Sequence, residues 1–168
     1  MDIFDTIALR SSVRAYSPKK IDRVDLEKLV DAGRRAPTAR AVEPWEFVVV
    51  TDKKNLEELG RIADHGPFIK DAAACIAVFC ADTKYYLEDG CAATENILIA
   101  AAGMGIGACW VAGDKKPYAT SVAAILATSP DMKLVSLIPL GWPKTTPKQA
   151  KRRELSDVLH WETFQRKA

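Results

Sequence analysis

The run Asn96-Ile97-Leu98-Ile99-Ala100-Ala101-Ala102-Gly103-Met104-Gly105-Ile106-Gly107-Ala108-Cys109-Trp110-Val111-Ala112-Gly113 decides the fold, because it carries no charge and still cannot be a membrane span. A span needs roughly 20 apolar residues, and this run is shorter and is broken by three glycines. It reads as the end of a buried helix, a turn and a buried strand. The helix covers 85–104 and is apolar on every side from Ile97 to Met104. One small sheet covers only one stripe of such a helix. Either a second subunit packs against it, or it is the central core helix of a monomer.

Upstream, Ala74-Cys75-Ile76-Ala77-Val78-Phe79-Cys80-Ala81 is a continuous apolar strand, and Glu46-Phe47-Val48-Val49-Val50-Thr51 is a second β-rich run. Two such strands imply a sheet covered on both faces. Asp2 predicts the cap of a first helix ending near Leu9. Asp22, with Asp25 three residues later, predicts the cap of a second helix that Pro37 ends. An amphipathic helix follows on Leu56, Leu59 and Ile62. Downstream come a strand at 108–111, a helix over 118–128, a strand at 134–140, a basic loop and a polar tail. The order gives an α+β or α/β sandwich, one domain over 1–168, with no repeat or linker.

The 168 residues are 48% hydrophobic, enough for a sizeable core, and the net charge of +2 makes no field for nucleic acid or anionic lipid. Any anion site must be local. Cys75, Cys80, Cys91 and Cys109 lie in apolar surroundings without CxxC spacing and read as reduced core thiols, which fits the cytoplasm. The opening Met1-Asp2-Ile3-Phe4-Asp5 is acidic and interrupted by charge, unlike an export signal.

Gly103, Gly105 and Gly107 do not make a dinucleotide fingerprint, which needs a strand before it and a helix after it; here the order is reversed. Two histidines and no HExxH or cysteine pair leave no metal motif, and no GxSxG elbow is present. Cys75 and Cys109, set in apolar strands, lack electropositive neighbours that would activate a thiolate. What remains is Arg10-Ser11-Ser12-Val13-Arg14, two guanidinium forks around two hydroxyls, a donor set matched to phosphate oxygens. A second basic cluster, Lys148, Lys151, Arg152 and Arg153, serves the same anion only if the chain ends converge.

Four segments in order resemble the FMN-dependent nitroreductase family. They are 10–16 (Arg-Ser-Ser-Val-Arg-Ala-Tyr), 32–50 with Ala36-Pro37-Thr38-Ala39 and Pro44-Trp45, the helix with Gly103 to Val111, and Leu140-Gly141-Trp142-Pro143 with the basic cluster. The resemblance implies a two-layer α+β fold, its central, mostly antiparallel sheet flanked by helices, working as an interlocked homodimer with FMN at the subunit interface. It implies that Arg10, Ser11, Ser12, Arg152 and Arg153 hold the phosphate and ribityl chain, and that Arg14 faces the pyrimidine edge. Pro37, Thr38 and Ala39 would reach the flavin from the partner, and backbone at Ala112 and Gly113 would approach the ring near N5, where glycine permits close contact.

The implied activity is ping-pong: hydride from NADH or NADPH, then reduction of a nitroaromatic, quinone or other conjugated small molecule. The cofactor supplies the electron chemistry, so no catalytic side chain is implied. The alternative is a flavin-binding carrier or sensor with little turnover. Two departures bear on it. Ala41 and Glu43 stand where similar proteins carry Asn and Gln, and the short link between Ala81 and Tyr85 leaves out a helical excursion over the pocket.

Overall fold

The computed structural model describes residues 2–165, so the domain expected over 1–168 extends at each end beyond the described residues. Helix α1 (Ile3–Leu9) opens on a capping box: Asp2 accepts the Asp5 N–H at 2.8 Å, and Asp5 accepts the Asp2 N–H at 3.4 Å. Asp22 does stand before α2 (Arg23–Arg34), but its side chain makes no cap hydrogen bond. Burial of Leu26, Leu29 and Gly33 anchors that helix instead. Strand β1 (Trp45–Val50) follows, then α3 (Lys53–Ile62), capped by Asp52 on the Asn55 N–H at 3.0 Å.

Strand β2 (Ala74–Ala81) pairs antiparallel with β1, from Trp45 opposite Cys80 to Val50 opposite Cys75. Helix α4 (Tyr86–Gly103) is followed by two short strands, β3 (Gly107–Ala108) and β4 (Val111–Ala112), then α5 (Ala119–Ile125), β5 (Met132–Gly141) and α6 (Leu155–Val158). The sheet order is β1-β2-β5-β3, with β4 also on β5, and every pairing is antiparallel.

The single strand expected over 108–111 is therefore two. Opposite the break lies Pro139, whose carbonyl accepts the Cys109 N–H at 3.3 Å but which has no N–H to return. A ladder cannot run unbroken past a missing donor.

Alternate residues of β2 feed two cores. Ile76, Val78 and Cys80 face α2 and α4; Cys75, Ala77 and Phe79 face α3 and α5. A bulge between Val78 and Phe79 leaves Val135 of β5 without a partner on β2, so Val135 and Ser136 share the α4 face. Ser136 meets Thr94 there at 2.8 Å, and Thr94 also donates to the Gly90 carbonyl at 2.7 Å, satisfying both buried hydroxyls.

Helix α4 buries Ala93, Thr94, Ile97, Leu98 and Ala101, while Ile99, Ala100 and Ala102 are only half-buried. Beside it α1 exposes Ile3, Ile7 and Phe4, the last 78% exposed, and the tail exposes Leu155, Trp161 (75%) and Phe164 (78%). Among the described residues no helix is long and apolar enough to cross a membrane.

Candidate functional site

The N-terminal segment 10–17 is laid against the edge where β3 leaves β5. Val13 donates its N–H to the Ala108 carbonyl at 2.9 Å, and Ser12 forms a parallel bridge with Ala108. Buried Tyr16 donates its hydroxyl to the Val13 carbonyl at 2.7 Å and lies 3.2 Å from that of Pro139. The chain leaving β5 returns along the same segment: Ser17 N–H to the Trp142 carbonyl at 2.8 Å, Lys144 N–H to the Ala15 carbonyl at 3.0 Å, and Gln149 Nε2 to the Leu9 carbonyl at 2.7 Å. The two ends of the domain thus converge. The close approach needs glycine at two places, since a Cβ on Gly107 would lie 2.7 Å from Val13 Cγ1 and one on Gly141 2.7 Å from the Tyr16 ring.

Three of the expected side chains gather at this edge. Arg14, Ser12 and Arg10 all act on the Cys109 thiol in the direction of ionisation, while burial outweighs them and pushes the thiol up. The apolar surroundings expected for Cys109 are thus electropositive on one side, yet the group stays a protonated thiol. Arg10 Nε lies 3.9 Å from Glu95 on α4, and the Arg14 guanidinium sits 5.8 Å from the centre of the Phe68 ring. Arg10 and Ser11 line a cavity of about 240 Å³ with Val13, Ile106, Pro147 and Gln149. Arg152 and Arg153 are exposed beyond Gln149, and Arg153 donates to the Asp157 carbonyl at 2.8 Å. No hydrogen bond or ion pair joins either to Arg10 or Ser11 among the described residues.

Ala112 and Gly113 continue the same sheet edge. Ala112 is exposed and its carbonyl accepts from the Tyr118 hydroxyl. Gly113 is buried, and a Cβ there would lie 2.5 Å from Leu134 Cγ, so packing on β5 by itself requires the glycine. Next to it Asp114 accepts the Tyr86 hydroxyl at 2.5 Å, which with burial pushes that phenol up to about 12.

Pro37, Thr38 and Ala39 lie elsewhere. They start a loop held by Asp89 in the first turn of α4, with Thr38 Oγ1 and the Ala39 N–H each donating to the carboxylate at 3.0 Å. Asp89 sits about 9 Å along the helix from Glu95, at 1.5 Å per residue. Within one chain this loop and the Arg10 cluster are separate. Arg40, Ala41 and Glu43 in the loop have φ of 58°, 53° and 49°, a left-handed backbone that costs a non-glycine residue about 1–2 kcal/mol.

Asp89 and Gln149 are absent from the sequence-derived site. Asp89 reads as an ordinary acid in the first turn of a helix, and Gln149 is hidden in a basic loop. Among the described residues no group of three His, Cys, Asp or Glu side chains is placed to hold a metal.

Comparison with known proteins matches this architecture. Residues 7–74 match the family model described as Nitroreductase family. A protein of Archaeoglobus fulgidus named "Putative NADH dehydrogenase/NAD(P)H nitroreductase" is 34% identical over 82% of this chain and 83% of its own. A crystal structure under the same name from Bacteroides thetaiotaomicron has a TM-score of 0.91 at 30% identity, covering 96% of this chain and 98% of that one. The fold is shared by a Desulfovibrio desulfuricans chain crystallised with FMN, at a TM-score of 0.86, 24% identity and 98% coverage of both chains. With 34% identity to the Archaeoglobus fulgidus protein over 82% of this chain, and the family model matching residues 7–74, the chain belongs to the nitroreductase family.

Proposed function

We propose that this protein is an FMN-dependent oxidoreductase that takes hydride from NADH or NADPH and passes electrons to a nitroaromatic, quinone or other conjugated small molecule, in alternating half-reactions. The observation that carries the reading is the segment 10–14 braced along the β3 edge, with Arg10 and Ser11 lining the cavity there, a donor set of the kind a phosphorylated, electron-accepting ligand requires. The residues fit the cofactor in kind. Among the described residues the one acidic side chain paired with either guanidinium group is Glu95, at 3.9 Å from Arg10.

In this reading Arg10, Ser11 and Ser12 hold the phosphate and ribityl chain, joined by Arg152 and Arg153 when the exposed tail folds in. Arg14 faces the pyrimidine edge, where a fixed cation favours the reduced ring. Backbone at Ala112 and Gly113 borders N5. FMN, when bound, supplies the hydride acceptance and return; the chain binds, orients and tunes.

The separation of residues 37–39 from the Arg10 cluster fits a site completed by a second copy, with Pro37, Thr38 and Ala39 contributed across a homodimer interface. The half-buried face of α4, the exposed Phe4 and the apolar tail are the surfaces such a dimer would cover. Four free thiols suit a cytoplasmic setting.

Purified protein is expected to be yellow, to release FMN on denaturation, and to bleach under anaerobic NADH or NADPH and recover its colour with a quinone. Colourless protein that takes up no FMN overturns the reading. Yellow protein that no nicotinamide bleaches leaves only the passive flavin binder.

A further inference from the structure

Asp89 is 4% exposed, and no cation pairs with it among the described residues. A buried carboxylate without a counter-ion is costly unless its oxygens are occupied by donors. Both are. Oδ2 accepts from the Thr38 hydroxyl and Oδ1 from the Ala39 N–H, each at 3.0 Å, and Thr38 Oγ1 in turn accepts the Glu43 N–H at 3.1 Å. One carboxylate on a rigid helix therefore fixes the start of the loop directly and its far end through Thr38. Between these two points lie Arg40 and Ala41, and with Glu43 they hold left-handed backbone that a free chain would not keep.

We propose that Asp89 is a positioning residue of the cofactor site: it locks the 37–44 loop in the shape that presents Pro37, Thr38 and Ala39 to the flavin of the partner subunit. This rests on the FMN reading above. The chemistry selects a carboxylate, because two donors arrive from one loop and each needs an acceptor. An Asn keeps one oxygen for the Ala39 N–H but turns its N–H₂ group on Thr38 Oγ1, which would then accept instead of donate, and the charge-assisted bond is lost. The role is separate from the electron chemistry, since Asp89 lies at the root of the loop and acts on it.

The test compares wild type with Asp89→Asn, Thr38→Val and the double variant, with and without FMN. Trypsin cleavage after the exposed Arg40 reports the loop, and the visible absorption bands and FMN dissociation constant report the flavin. Each single variant is expected to speed cleavage after Arg40, shift the flavin bands and weaken FMN binding about tenfold, the effect of one lost charge-assisted hydrogen bond. The double variant should fall short of the sum of the two singles, because both break the Asp89–Thr38 link, while Thr38→Val alone also removes the acceptor of the Glu43 N–H. Thr38→Ser should keep wild-type protection from trypsin.

If Asp89→Asn fails to fold, Thr38→Val decides alone, as it leaves the carboxylate its Ala39 donor. FMN-binding wild type whose variants match it in cleavage and flavin spectrum overturns the Asp89 assignment, as do single effects that add in full. Wild type that takes up no FMN overturns the cofactor reading instead, and with it the flavin role of the loop.

Discussion

Gln149 Nε2 donates to the carbonyl of Leu9 at 2.7 Å, tying together two residues 140 positions apart. That bond holds the backbone one residue before Arg10 and closes one wall of the cavity that Arg10 and Ser11 line. If this wall carries the FMN phosphate, Arg10→Ala removes charge-assisted hydrogen bonds worth about 1.5–3 kcal/mol each. Flavin affinity is then expected to fall by about tenfold to a hundredfold. The ligand-free protein should melt as before, because the ion pair of Arg10 with half-exposed Glu95 contributes little. Flavin fluorescence titration and a thermal melt of the apo form check the two halves; unchanged FMN affinity refutes the phosphate assignment.

Gly141→Ala tests the brace itself. The added Cβ would lie 2.7 Å from Tyr16 Cδ1 and Cγ and 2.8 Å from Tyr16 Cβ. The ring cannot swing away cheaply, because its hydroxyl is hydrogen-bonded to the Val13 carbonyl. Overpacking of this kind costs about 1–3 kcal/mol. Urea unfolding should show that loss, with the slope unchanged; a variant as stable as wild type would mean the segment is not held as described.

How much of this was legible beforehand depended on the range of the signal. The apolar run from Ala74 to Ala81, the Asp2 cap and the spacing of Leu56, Leu59 and Ile62 are local patterns, and β2, α1 and α3 appear where such patterns put them. Asp22 shows the limit, since cap composition at α2 does not produce a cap bond. The break between β3 and β4 depends on Pro139 lying opposite Cys109, a register that no local pattern encodes. In the candidate site, Arg10 to Arg14 stand out in the sequence because residue types and spacing match an anion. Asp89 does not, because its meaning lies in Thr38 and Ala39, some fifty positions away. The electropositive side of Cys109 was equally hidden until the N-terminal segment was laid beside it.

Alkaline pH should destabilise the fold through its buried thiols. Burial pushes Cys75 and Cys80 from an ordinary value near 9 up to about 12. A folded-state value above the unfolded one means that folding favours the neutral thiol. This stabilisation is complete below about pH 9 and is lost as pH rises from there through about 12. Denaturant midpoints should therefore be flat near neutrality and fall above pH 9. Cys75→Ala, less stable at neutral pH because of the cavity it leaves, should show a shallower fall. Equal slopes in the two proteins would exclude Cys75 as a source of the dependence.

The proposed dimer is tested at Phe4, which is 78% exposed on α1 and lies outside the buried core of its own chain. Phe4→Glu should leave the far-ultraviolet circular dichroism intact. A carboxylate in a desolvated apolar contact is costly, so the change should shift the protein toward monomer in sedimentation velocity. The cofactor is the second readout. If residues 37–39 complete the partner's site, a monomer keeps Arg10, Ser12 and Arg14 but lacks the partner's loop, and it should lose FMN on dilution while the wild type stays yellow. Phe4→Glu protein that is monomeric yet retains FMN as tightly as wild type would show that one chain suffices, and would return residues 37–39 to a purely structural role.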